Sequence, residues 1–218
     1  MTADFTQLRA KMVDGQLRTT DVTSASVLEA MGSVPRELFV GEARKALAYL
    51  DDDLEIAPQR YLMEPSPLAK LLQLADIQPG DSVLDVGSGT GYSAAVVSRL
   101  AAKVTALESD AALVDAAAPL LASVGAANVA FVKGTLSAGY AANGPYDVIV
   151  VEGAVGQMPQ VLFDQLKEGG RLVVVEGYGN AGIARLYLKA NGVVSGRRAF
   201  NAAVKSLPGF EKTAQFEF

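Results

Sequence analysis

The chain has 218 residues, 50% of them hydrophobic and 20% charged, enough for one sizeable core and little more. Nineteen basic against twenty-four acidic side chains leave a net charge of −5, which argues against a protein that works on phosphate backbones. Cysteine and histidine are both absent, so disulfides, thiolate catalysis, Cys or His metal ligands and the Ser-His-Asp triad are excluded.

Residues 1–18 hold no apolar stretch between a basic start and a small-residue cleavage site, and no apolar run approaches membrane-spanning length. A cytoplasmic protein is expected, monomeric or a small homo-oligomer, with neither nucleic acid nor membrane as partner and no metal. Phe5, Leu8, Met12 and Leu17 recur at helical spacing and predict one amphipathic helix; Val27, Leu28 and Met31 predict a second that stops before Pro35. Asp51, Asp52 and Asp53 read as a solvated acidic loop rather than a metal site, since no further ligand pattern accompanies them. Pro58, Pro65 and Pro67 forbid a continuous helix and predict an ordered loop, followed by a short helix over 68–74 and a turn at Gln78-Pro79-Gly80-Asp81. Residues 1–75 are therefore expected to form a helical cap and loop, and 76–218 the main domain, together one compact unit.

From Ser82 the texture changes to short continuous apolar runs at 83–86, 104–107, 129–132, 148–151 and 172–175, separated by helical stretches such as 92–100 and 111–124. Continuous runs are the mark of strands covered on both faces, and the helices are the crossovers that parallel pairing demands. The predicted class is α/β, Rossmann-like, a doubly wound and mostly parallel sheet with an N-terminal helical extension. Residues 183–188 and 193–199, joined across Asn191-Gly192, predict an antiparallel hairpin at the sheet edge. Arg197 and Arg198 belong to its exposed face, and Phe210, Phe216 and Phe218 are expected to pack back on the domain.

The sharpest feature is Val83-Leu84-Asp85-Val86-Gly87-Ser88-Gly89-Thr90-Gly91-Tyr92, a buried strand running into a glycine-rich turn that opens a helix. Glycines permit positive φ and let a ligand approach the main chain, while free N–H groups at the helix start attract it. Position 92 is Tyr, so the third glycine of a dinucleotide loop is missing, and so is the Gly-Lys-Ser/Thr of a phosphate loop; a nicotinamide oxidoreductase is disfavoured. Asp-x-Gly-x-Gly-x-Gly, with Asp85 at the strand end, suits a ligand that carries an ammonium beside a carboxylate, as S-adenosylmethionine does. Seventeen residues beyond Gly91, Glu108 ends the next strand, with Ser109 beside it, where a carboxylate can accept ribose hydroxyls. Thr135 and Leu136, after the third strand, lie at the sheet edge expected for adenine. Glu152, after the fourth, is either a wall of the donor pocket or a solvated strand-end carboxylate; spacing alone leaves both open.

With these residues placed, the chain resembles the protein-L-isoaspartate O-methyltransferases, a class I methyltransferase family that repairs isomerised aspartyl residues in proteins. The resemblance rests on Met12-Val13-Asp14-Gly15-Gln16-Leu17-Arg18, on Val34-Pro35-Arg36-Glu37-Leu38-Phe39-Val40, on the glycine turn, and on Leu166-Lys167-Glu168-Gly169-Gly170-Arg171-Leu172-Val173. It implies that Asp85, Gly87, Ser88, Gly89, Gly91 and Glu108 hold S-adenosylmethionine, that S-adenosylhomocysteine is the product, and that isoaspartyl proteins or peptides are the substrate. The family's segment ahead of the sheet aligns with 57–65: its Thr position is Tyr61, its active-site Ser position is Met63, and Pro65 sets the register. Tyr61, Met63 and Pro65 are thus expected on the substrate side, as a more apolar rim, with no catalytic side chain assigned. The family acid that reaches the adenine amino group is Thr135 here. Two alternatives stand beside isoaspartyl methylation: methyl transfer to another small acceptor, and a catalytically silent binder of the nucleoside.

Overall fold

The computed structural model describes residues 4–211. Asp4 caps helix α1 (Phe5–Met12) by accepting from the Gln7 N–H at 3.1 Å, and the helix continues through a π turn (Val13–Leu17) into a 3-10 turn (Arg18–Thr20). Met12 and Leu17 are buried, as their spacing predicts. Ser24 caps α2 (Ala25–Ser33), which ends before Pro35.

The loop expected at 51–65 contains an antiparallel pair, β1 (Leu54–Ala57) and β2 (Arg60–Leu62), turned at Gln59 with φ +59°. Strands of four and three residues are too short to show a periodicity, which is why the sequence reads as a loop. Helix α3 (Pro65–Ala75) starts three residues earlier than predicted, because Pro65 and Pro67 fall in its first turn, where no N–H is needed. Leu68, Leu71, Leu72 and Ala75 form its buried face.

The main sheet then assembles from β3 (Ser82–Val86), α4 (Tyr92–Val97), β4 (Lys103–Glu108), α5 (Ala111–Ser123), β5 (Val129–Lys133), β6 (Tyr146–Val155), α6 (Gln160–Asp164) and β7 (Leu166–Glu176). The edge hairpin β8 (Ile183–Ala190) and β9 (Val193–Asn201) completes it, antiparallel as expected. The strand order is β5-β4-β3-β6-β7-β8-β9, with β3 to β7 parallel. Because β3 is flanked by β4 on one side and β6 on the other, the chain reverses direction there, and a crevice opens at the carboxyl ends of β3 and β6. One core cluster runs from Met12 and Leu17 through Val83, Val104 and Val148 to Val204, so the N-terminal elements share their core with the sheet. Phe210 packs back into a second cluster with Leu207, while Phe216 and Phe218 lie outside the described residues. Among the described residues no helix is long and apolar enough to cross a membrane.

Candidate functional site

The turn from β3 into α4 has the backbone its glycines predict: Gly87, Gly89 and Gly91 stand at φ +87°, +57° and +95°. Its position is set from both ends. The N–H groups of Gly87 and Ser88 donate to the Leu107 carbonyl at 2.9 and 3.2 Å, and Thr90 Oγ1 donates to the Phe39 carbonyl at 2.6 Å, fastening the N-terminal segment over the turn.

Asp85, the last acid of β3, is fully buried. Its Oδ2 accepts from Ser93 Oγ at 2.7 Å, whereas Oδ1 has no partner. Burial pushes its pKa up to about 6, against the pull of the serine hydroxyls. Glu152 sits where β6 advances four residues, Val150 to Ala154, while β7 advances two, Val173 to Val175; such a bulge re-aims side chains beside a site. The carboxylate is buried rather than solvated, its Oε1 is unpartnered, and burial together with negative Asp85 raises its pKa well above the usual range. Two buried carboxyl groups, near enough for one to raise the pKa of the other, thus carry unsatisfied oxygens.

Glu108 is also fully buried, and all of its capacity is spent inside the chain. Oε1 accepts from the N–H groups of Ser109 and Asp110 at 2.7 and 3.0 Å and from Ser109 Oγ at 3.2 Å. Oε2 accepts from the Gly89 N–H at 2.9 Å and from Arg60 Nη2 at 2.5 Å. The same Nη2 donates to the Gly87 carbonyl at 2.9 Å. Sequence reasoning did not single out Arg60: it lies 48 positions from Glu108, and no local pattern joins them.

Two apolar side chains close the crevice around this pair. A Cβ built on Gly89 would stand 2.6 Å from Ile56 Cδ1, and one on Gly87 2.8 Å from Leu207 Cδ1, so both side chains rest on the bare glycine backbone. Leu207 is held there because residues 205–207 bind the end of β6, Lys205 accepting from the Ala154 N–H at 2.8 Å and Leu207 donating to the Ala154 carbonyl at 2.9 Å. The side expected for adenine is open instead: Thr135 and Leu136 line a cavity of about 610 Å³ together with Ser109, Lys133, Gly134 and Pro208. The turn, the unpartnered Asp85 oxygen and this cavity suit an adenosyl amino acid. The positions expected for its ribose and amino acid parts, beside Glu108 and Gly87 to Gly89, are occupied by Arg60, Ile56 and Leu207.

Two of the three positions expected on the substrate rim are buried. Met63 is 4% exposed and belongs to the main core, and Pro65 is buried as the first residue of α3. Alternation along β2 turns Arg60 and Leu62 inward and leaves Tyr61 half-buried, its ring 5.6 Å from Lys205 Nζ, beside a cavity of about 260 Å³ lined also by Gln59, Ser206 and Pro208. The acidic loop has a structural use: Asp53 Oδ1 accepts from the Glu64 N–H at 2.8 Å, ordering the start of α3. Arg197 and Arg198 are exposed on β9.

Comparison with known proteins agrees on one family. Residues 8–205 match the profile described as Protein-L-isoaspartate(D-aspartate) O-methyltransferase (PCMT). The chain is 42% identical over 169 residues to the protein-L-isoaspartate O-methyltransferase of Koribacter versatilis (strain Ellin345), covering 78% of this chain and 76% of that protein. It is 39% identical over 173 residues to protein-L-isoaspartate O-methyltransferase 1 of Rhodopseudomonas palustris (strain HaA2), covering 79% and 71%. A solved protein-L-isoaspartate O-methyltransferase superposes with a TM-score of 0.80 at 29% identity over 92% of this chain, which spans 66% of the solved one. A Plasmodium falciparum protein solved in complex with S-adenosyl-L-homocysteine shares the fold, with a TM-score of 0.79 at 21% identity over 91% of this chain and 97% of its own.

Proposed function

Because the chain belongs to the protein-L-isoaspartate(D-aspartate) O-methyltransferase family, whose members are S-adenosylmethionine-dependent methyltransferases, we propose that it methylates the carboxylate of isomerised aspartyl residues in proteins or peptides. The observation that carries this reading is the match over residues 8–205, which includes the N-terminal cap and the edge hairpin as well as the glycine turn. In this reading the turn from Gly87 to Gly91, Asp85 and Glu108 belong to the donor side, with Thr135 and Leu136 at the base. The cavity between Tyr61 and Lys205 is the acceptor side, where an ammonium faces an anionic substrate.

The acceptor explains why a chain without histidine or cysteine suffices. A carboxylate has a reference pKa of about 4, is ionised at neutral pH and needs no base. What it needs is alignment, and holding two reactants in register can remove roughly 7–11 kcal/mol of barrier. A net charge of −5 disfavours nucleic acid as a partner, and a cytoplasmic location suits repair of the cell's own proteins.

The test is transfer of labelled methyl from S-adenosylmethionine to an isoaspartyl peptide, with the normal aspartyl peptide as control. A base-labile methyl ester on the first alone is expected; no ester on either would overturn the reading. The silent binder has one observation in its favour, the buried Met63 at the family's Ser position. Heat of S-adenosylhomocysteine binding without ester on any acceptor would select it.

A further inference from the structure

Three buried carboxylates meet at the crevice, and among the described residues only one cation touches any of them. Asp85, Glu108 and Glu152 are 0%, 0% and 9% exposed, and the ion pair at this strand end is Arg60 to Glu108. A buried carboxylate such as Glu108 is costly unless a counter-charge enters with it. A sulfonium amino acid would bring that positive charge; here Arg60 brings it. Its Nη2 stands between Glu108 Oε2 and the Gly87 carbonyl, so a single guanidinium nitrogen occupies an acceptor suited to a ribose hydroxyl and another suited to an ammonium. Ile56 and Leu207 complete the filling on the bare faces of Gly89 and Gly87.

We propose that Arg60 is the resident occupant of the nucleoside subsite, an internal cation that holds the crevice closed, and that the nucleoside enters only when this guanidinium is displaced. The proposal rests on the donor-side assignment made above and adds how that site is controlled. The part that must move is suited to moving. Arg60 is carried on β1–β2, a separate two-stranded pair outside the seven-stranded sheet; Leu54 and Leu62 fix that pair in the core, so it is the arginine side chain that moves. Arg60 Nε is buried without a partner, so the arginine is not fully satisfied where it lies. Withdrawing it uncovers Glu108 Oε2 and the Gly87 carbonyl together.

Calorimetric titration of S-adenosylhomocysteine into the intact chain, Arg60→Gln and Ile56→Ala tests this. Arg60→Gln keeps an amide donor for Glu108 but removes the cation, and Ile56→Ala leaves the ion pair while freeing the face of Gly89. Arg60→Gln is expected to bind about tenfold more tightly than the unmodified chain, equivalent to roughly 1.4 kcal/mol, and Ile56→Ala severalfold more tightly. Ile56 is only half-buried, so that variant remains informative even if Arg60→Gln does not fold. Equal or weaker binding by the folded variants would overturn the proposal, as would a crystal structure of the unmodified chain with nucleoside in the crevice and Arg60 still on Glu108. Tighter binding by the variants with no methyl ester on an isoaspartyl peptide would leave the proposal standing and remove the proposed activity.

Discussion

Arg36 donates through Nη2 to the Met63 carbonyl at 2.8 Å, tying the N-terminal cap to the chain that leads from β2 into α3. Its Nε donates to the Ala48 carbonyl at 2.7 Å, and its guanidinium carbon lies 4.9 Å from the Tyr92 ring centroid. This arginine is fully buried, and burial depresses its pKa. One side chain thus joins the cap, the segment before the hairpin and the first helix after the glycine turn, which explains why the cap has no core of its own.

Arg36→Met is expected to cost about 3 kcal/mol or more, since it strands two buried carbonyls while keeping much of the volume. Urea unfolding should show a lower midpoint at an unchanged slope. A midpoint within error of the unmodified chain would mean that water or a shifted side chain satisfies both carbonyls.

Asp85 sets a pH dependence with a definite sign. Its folded pKa of about 6 lies above the ordinary 3.8, so between these values the folded chain holds more protons than the unfolded one and stability falls as pH rises. Asp85→Asn removes that penalty and is expected to gain roughly 3 kcal/mol at pH 7, the gain vanishing toward pH 4. Urea midpoints of both proteins at the two pH values check it; a gain that grew on acidification would show that Asp85 is instead held as a carboxylate.

Met63→Ser restores the family's residue type but not its setting. The site is in the core, so the change loses the burial of a methionine and opens a cavity, for about 2–4 kcal/mol. Ester formation on an isoaspartyl peptide is expected not to rise. A variant of undiminished stability with faster methylation would show that position 63 reaches the substrate.

Gly91→Ala combines positive φ with crowding, its Cβ meeting Phe131 at 3.3 Å and Leu121 at 3.4 Å, and should cost about 2–3 kcal/mol. Gly15→Ala is the contrast: it is exposed, at ordinary φ, with nothing within 4 Å, and is expected to gain about 0.5 kcal/mol. Thermal midpoints of the pair read the difference, and equal midpoints would contradict the described turn.

Much of this molecule is legible in its residue order. Continuous runs such as Val83 to Val86 are strands because only a doubly covered sheet buries every position, and Asn191-Gly192 turns a hairpin because both residues tolerate positive φ. The pair β1–β2 escaped because seven strand residues leave no period to read. Met63 was expected on the rim because alignment gives a residue's position along the chain and not the direction of its side chain.

The amino-acid sequence alone determined the α/β class, the strands that end near Asp85 and Glu108, and the turn between Gly87 and Gly91, since each is encoded by neighbours a few positions apart; Glu152, expected just past the fourth strand, lies inside β6, because the bulge there carries the strand on to Val155. Only the tertiary structure decided that Arg60 lies against Glu108, with Ile56 and Leu207 over the glycines. That arrangement joins segments distant in the chain, and which of them meet depends on how the hairpin and residues 205–207 dock, a property of the folded whole.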